Sequence, residues 1–293
     1  MLLRRMDLFS YFLLLIMAVL SGALLGAGAG TLIARFYGYA VNDLMQVPAG
    51  GYLRIERDAM RWINLSAQLF TFLFPALVFR VLDEKRTAAT IIADQRFFWF
   101  LILAAFWLSG AFPLVEWLYR QNLLLPLPES LLSMDKASME SLRALLVMDN
   151  ISELVLNLVV LAAIPALCEE WLFRGVLQQK LEGILPVPWV AVWLSAALFS
   201  AIHLQFAGFI PRFFLGALLG YLFYFSRNIW VAIWAHFLFN GSQLIARYWG
   251  ISDVGTEEKI PNPASGWVIA SAVLTLIIFG ISRMLATTRS NQV

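Results

Sequence analysis

With 61% hydrophobic and only 14% charged residues over 293 positions, the chain is too apolar for a soluble domain of this length and belongs in a membrane. Its net charge of +2, from 21 basic and 19 acidic residues, offers no basic surface, and nucleic acid is excluded as a partner. The single cysteine, Cys168, rules out an intramolecular disulfide and a multi-cysteine metal cluster, so acid–base or metal chemistry must come from His, Glu and Asp.

Crossing about 30 Å of hydrocarbon at about 1.5 Å per residue takes about 20 mostly apolar residues, and eight runs meet that measure. The first, Ser10 to Ile33, follows Arg4 and Arg5 and superficially resembles a secretory signal. Its length, and Gly22, Gly26 and Gly30 recurring at every fourth residue, mark instead a retained span that packs closely on a neighbour. Trp62 to Leu82 and Phe97 to Trp117 are the second and third. A polar, proline-containing stretch from Arg120 to Asn150 then reads as an interfacial linker, with an amphipathic helix around Met134 to Met148 lying on the membrane surface. The remaining runs are Leu154 to Leu177, Val187 to Leu204, Phe209 to Phe225, Ile229 to Ala246 and Gly266 to Met284.

The expected fold is an all-α integral membrane protein, a bundle of about eight transmembrane helices around a polar catalytic cavity, forming one domain over residues 1–293. Eight spans put both termini on one side, and Arg4, Arg5, Arg283 and Arg289 favour the cytoplasm for them. Arg80, Lys85, Arg86 and Arg96 fall on that same side, but Arg54, Arg57 and Arg61 fall opposite, so the bias is slight.

A charged side chain within hydrocarbon costs several kcal/mol unless paired or hydrated, so each one inside a span asks for a reason. They gather in the second half of the chain: Glu169, Glu170 and Arg174 in the fourth run, His203 in the fifth, His236 and Asn240 in the seventh. Glu170 and Arg174, four apart, face one another on a helix and can pair. Glu169 is rotated by about 100° from Glu170. Subject both to a nearby cation and to a low dielectric, it is a candidate general base for water. A purely structural ion-pair cluster is the competing reading. The chain's only two histidines both lie in apolar runs, and with Glu169 they make a cluster able to hold water or a metal ion. His236 and Asn240, four apart on one face, can donate hydrogen bonds to the oxyanion of a tetrahedral intermediate, although Asn240 could equally tie two helices together.

The set Glu169-Glu170 with Arg174, Phe199 four before His203, and His236 four before Asn240 resembles the CPBP family of intramembrane proteases. That family includes the type II CAAX prenyl endopeptidases and bacterial Abi-type relatives, and the likeness runs from about Ile151 to Ile245, the expected peptidase core. The resemblance implies an intramembrane endopeptidase in which Glu169 activates water, His203 positions it, and His236 with Asn240 forms the oxyanion site. Glu170 and Arg174 would orient these groups, and Phe199 would pack the imidazole. The position ahead of the glutamate pair, often acidic in the family, is Cys168 here. The substrate would be a membrane-associated peptide or protein: the tail of a lipidated protein, as in CAAX processing, a leader peptide or a membrane-protein segment. A bacterial-type plasma (inner) membrane is the expected location.

Two chemistries stay open. Glu169, His203 and His236 supply a three-ligand zinc set, and the family is often labelled metalloprotease, but HExxH is absent and a ligating Glu169 could not serve simply as base. Metal-independent water activation, with no cofactor required, is the preferred expectation. Neither Gly-x-Ser-Gly nor Gly-x-Gly-Asp occurs, and Cys168 in apolar surroundings is a poor nucleophile. The alternative of another class is a proton- or ion-coupled transporter using the same Glu/His/Arg cluster, for which inverted repeats would speak and none is found. One geometric demand accompanies the peptidase: in straight parallel spans His203 and His236 would differ in depth by about 10 to 15 Å. Pro186 and Pro188 are the residues able to delay or bend the fifth helix.

Overall fold

The computed structural model describes residues 6–44, 51–82, 95–251 and 263–287, and no strand occurs among them. Of the basic residues weighed above for topology, Arg4, Arg5, Lys85, Arg86 and Arg289 lie outside the described residues. Apart from the single turn Val41–Leu44, the α-helices in chain order are α1 (Leu8–Phe36), α2 (Arg54–Leu82), α3 (Gln95–Leu123), α4 (Glu129–Leu145), α5 (Ile151–Glu182), α6 (Pro188–Ala201), α7 (Phe209–Ser226), α8 (Ile229–Tyr248) and α9 (Ser265–Thr287). All but α4 and α6 are long and apolar enough to cross a membrane, seven among the described residues. The protein is an all-helical, multi-pass integral membrane protein.

One expected span differs. The run from Val187 to Leu204 forms only the 14 residues of α6, which reach about 21 Å at the helical rise and stop short of a hydrocarbon core. Pro188 sits at its first turn, where a missing N–H costs nothing, and delays the start; the end comes at Ala201. The amphipathic linker helix is present as α4, starting and ending a few residues earlier than the pattern around Met134 to Met148 suggested.

Prolines also explain two irregular stretches. α2 widens to π geometry over Leu69–Leu73 and α5 over Leu158–Ala163, in each case just before a proline, Pro75 and Pro165. A proline donates no N–H and collides with the carbonyl four residues back, and those residues, Thr71 and Leu161, lie inside the widened turns. A third π stretch, Trp171–Gln178, follows the glutamate pair directly.

The described residues fall into two compact units, divided inside α5 after Val176 and inside α8 after Phe239. In the first (6–44, 51–82, 139–176 and 240–251), α1 lies against α2 along the glycine ladder. A Cβ on Gly22 would stand 2.1 Å from the Phe70 carbonyl oxygen, one on Gly26 3.3 Å from the Ala67 Cα, and one on Gly30 3.2 Å from the Ile63 Cγ2. Close backbone approach is therefore the role of this every-fourth-residue pattern. The second unit (95–138, 177–239 and 263–287) is built on the apolar faces of α3, α7, α8 and α9, with Trp107, Leu108, Leu222, Val231 and Ile278 buried together.

Replacement of Gly22 by leucine is expected to cost at least about 1–3 kcal/mol through overpacking against backbone, seen as a lowered thermal midpoint in detergent. Gly28→Ala, where an added Cβ meets nothing within 4 Å, should leave the midpoint unchanged or slightly raised.

Candidate active site

The first unit carries the glutamates. Glu169, Glu170 and Arg174 are all buried, on the stretch of α5 where regular helix passes into the π segment. Arg174 Nη1 donates to Glu170 Oε1 at 3.1 Å, and its Nε stands 3.1 Å from Oε2 as an ion-pair contact, between two side chains with no exposed surface. The ion pair expected from their spacing is thus present. Glu169 points from an adjacent position on the same helix. Second-half residues of α2 brace this stretch: the Arg80 guanidinium lies 5.2 Å from the Trp171 ring centroid, and Phe72 packs on Phe173 with centroids 6.4 Å apart. Cys168 is free, with no exposed surface, as befits a packing residue rather than a nucleophile.

Below that stretch lies a buried charge cluster that the sequence reading passed over. Arg57 and Arg61 of α2 both reach Glu153 Oε2 at 3.2 Å, at the start of α5. Arg57 also pairs with Asp149, and Arg61 donates to Asp58 Oδ1 at 2.7 Å and to Asn157 Oδ1 at 2.8 Å. Asn157 in turn donates to the Leu145 carbonyl at 2.6 Å, which ties the end of the linker helix to the same point. A signal was there: Arg54, Arg57 and Arg61 repeat at helical spacing on one face, and Glu153 and Asn157 repeat on another. Weighed only as topology charges, they hid their true constraint, since Arg57 and Arg61 lie where their acids are.

The second unit carries the histidines. α6 ends before His203, which sits half-buried in the following turn, and His236 is buried in α8. Both imidazoles meet one ring: Phe199 is 5.1 Å from His203 and 6.0 Å from His236, centroid to centroid, edge-on to each. The depth mismatch therefore does not arise, because the fifth run is a short helix ending in a turn and not a full-depth span. Phe199 also places a proton. Its carbonyl oxygen lies 2.7 Å from His203 Nδ1, and a carbonyl can only accept, so Nδ1 carries a hydrogen, which leaves Nε2 as the acceptor whenever the ring is neutral. The Phe199 ring is held by close packing on α7, where an added Cβ on Gly216 would stand 3.1 Å from it. Asn240, half-buried, follows His236 by one turn of α8, on the same face.

Among the described residues, no group of three or more His, Cys, Asp and Glu side chains is arranged to hold a metal ion.

Residues 151–242, from the first turn of α5 to the middle of α8, match the family model for type II CAAX prenyl endopeptidases, Rce1-like. The match supports the CAAX-protease family for that segment, about a third of the chain. That segment contains Glu169, Glu170, Arg174, Phe199, His203, His236 and Asn240 together. No curated protein and no solved structure matches the chain. The match supports an intramembrane endopeptidase in general terms, acting on membrane-associated peptide.

Arg174→Met is expected to destabilise the protein by about 3–5 kcal/mol, because Glu170 would be left buried without its cation. The paired change Glu170→Gln with Arg174→Met should recover most of that loss in a double-mutant cycle of thermal or denaturant unfolding.

Proposed function

We propose that the chain is a metal-independent intramembrane endopeptidase in which Glu169 is the general base. A water hydrogen-bonded to Glu169 and to His203 Nε2 attacks the scissile carbonyl carbon as Glu169 takes its proton. The carbonyl π electrons move to oxygen, and the oxyanion is met by an N–H of His236 and the carboxamide N–H of Asn240. Collapse of the tetrahedral species re-forms the carbonyl and expels the amine, which receives the proton from Glu169. Glu170 and Arg174 hold the helix of the base, and Phe199 fixes the tautomer of His203 and packs both imidazoles. The peptidase core is the segment 151–245 within one membrane domain.

The observation that carries this reading is the Nδ1 hydrogen bond of His203. A histidine whose proton is committed to a backbone carbonyl presents its other nitrogen as an acceptor, the property a water-orienting group needs and one that a merely space-filling imidazole does not require. The family match over 151–242 supplies the reaction class. For substrate we propose a peptide tail presented at the membrane, as in the processing of a lipidated protein or a leader peptide, and for location a bacterial-type inner membrane with cytoplasmic termini.

Purified protein in nanodiscs, incubated with a library of tail and leader peptides, should cleave a subset of them, and Glu169→Gln or His203→Ala should each lower kcat by about 10³-fold or more. Asn240→Ala should cost about 10²- to 10³-fold. Chelator should leave the rate unchanged. Full activity of Glu169→Gln would remove the general-base assignment; loss on chelation restored by zinc would make the site a metal centre. Proton flux into proteoliposomes that needs Glu169, with no cleavage of any peptide, would make the protein a transporter instead.

A further inference from the structure

We propose that Asp135 and Asn122 are positioning residues for His203, acting through the backbone that follows it; this rests on the reading of His203 as the water-orienting group. The chain must reverse from α6 into α7 within a few residues, and it does so through an unusual conformation. Leu204, the residue after His203, has φ +52°. A branched, non-glycine side chain in the left-handed region costs of order 1–3 kcal/mol, and such a residue persists only when its surroundings over-determine it.

The surroundings here do so from four directions, all within the second unit. Asp135, on the linker helix α4, accepts from the backbone N–H of Phe206 at 2.9 Å and of Ala207 at 2.7 Å, one carboxylate oxygen for each. Asn122, at the end of α3 and 1% exposed, donates to the Phe206 carbonyl at 2.7 Å and accepts from Ile210 N–H at 2.7 Å. Ser200 donates to the Phe209 carbonyl at 2.7 Å, and Arg212 donates to the Gln205 carbonyl at 3.2 Å. Phe206–Gly208 forms one 3₁₀ turn before α7, and the N–H groups at its start, which a side chain of the same segment usually caps, are capped from α4 instead.

The two ends of the strained residue are thereby held separately. On one side the Nδ1 hydrogen bond anchors His203 to α6. On the other, Asp135 and Asn122 anchor residues 206–210 to α4 and α3. With those anchors removed, Leu204 can relax out of the left-handed region, and relaxation at one residue swings its neighbour. The neighbour is His203. An imidazole displaced by about 1 Å is enough to lose about 10²-fold in rate when it must aim a water.

The chain's two histidines make the test selective. Full-length protein labelled with ¹⁵N-histidine in nanodiscs gives two sets of imidazole resonances, and His203→Asn identifies which set belongs to His203. Asp135→Ala and Asn122→Ala are expected to shift or broaden the His203 set and leave the His236 set in place. In the peptide-cleavage assay they should lower kcat by about 10- to 100-fold with KM changed by less than about threefold. Asp135→Glu, which keeps both acceptor oxygens, should recover part of the kcat. If Asp135→Ala does not fold, Asp135→Asn, which loses one acceptor oxygen, is expected to show the same selective effect in smaller measure. Unchanged His203 resonances with full kcat would overturn the proposal, as would equal disturbance of both histidines with a matching loss of thermal stability. Activity retained by His203→Ala overturns the reading of His203 itself, and the resonance shifts still report whether Asp135 and Asn122 position the ring.

Discussion

The pair between Glu170 and Arg174 is the interaction on which the glutamate-bearing stretch of α5 turns. Two full charges lie where neither has any exposed surface, in surroundings that cannot solvate either alone, and each is made tolerable by a partner four residues away on the same helix. One guanidinium N–H donates to the carboxylate and a second nitrogen stands 3.1 Å from its other oxygen, which orients that helical turn as well as neutralising it. Glu169 is attached to the same turn. The pair therefore sets the rotation of the residue next to it, and the proposed general base needs that direction set before substrate arrives.

The same demand, that buried polar groups find partners, organises the regions away from the glutamates. Arg57 and Arg61 are drawn inward by Glu153, and Asn157 links that cluster to the end of the linker helix. Single pairings of this kind are worth little at a surface. Here, with Arg61, Glu153 and Asn157 all buried, removal of any one member would strand the others, so the cluster locks the start of α5 to α2 more by the penalty for breaking it than by the gain on forming it. Where the backbone itself must lose a hydrogen bond, at Pro75 and Pro165, the helices widen just ahead of the proline and do not break.

Around the histidines the constraint is geometric. A short α6 followed by a left-handed residue brings His203 to the ring that His236 also meets. Phe199 contributes its ring to the packing and its carbonyl to the tautomer, so one residue settles both where the imidazole lies and which nitrogen accepts. Four side chains from four helices hold the turn that makes this possible.

Much of this was readable in the sequence because it follows from local periodicity. Runs of apolar residues about as long as a bilayer is thick read as spanning helices, and all of them but the fifth form one. Gly22, Gly26 and Gly30 at four-residue spacing can only be a contact stripe, and Glu170 with Arg174 at the same spacing must face one another. Polar residues confined to a few apolar runs pointed to Glu169, His203, His236 and Asn240, and their order pointed to the family. What the tertiary structure alone decided concerns contacts between residues far apart in the chain. Asp135 lies 71 residues from Phe206 and Arg61 92 residues from Glu153, separations at which no periodic pattern links partners. Whether a hydrophobic run of 18 residues becomes a full span or a short helix with a turn is also settled by what its last residues bond to. The physical reason is the same in both cases: a helix's own hydrogen bonds are local and can be read from spacing, whereas the burial of a charge or the strain of a turn is compensated by whichever distant side chain the fold delivers.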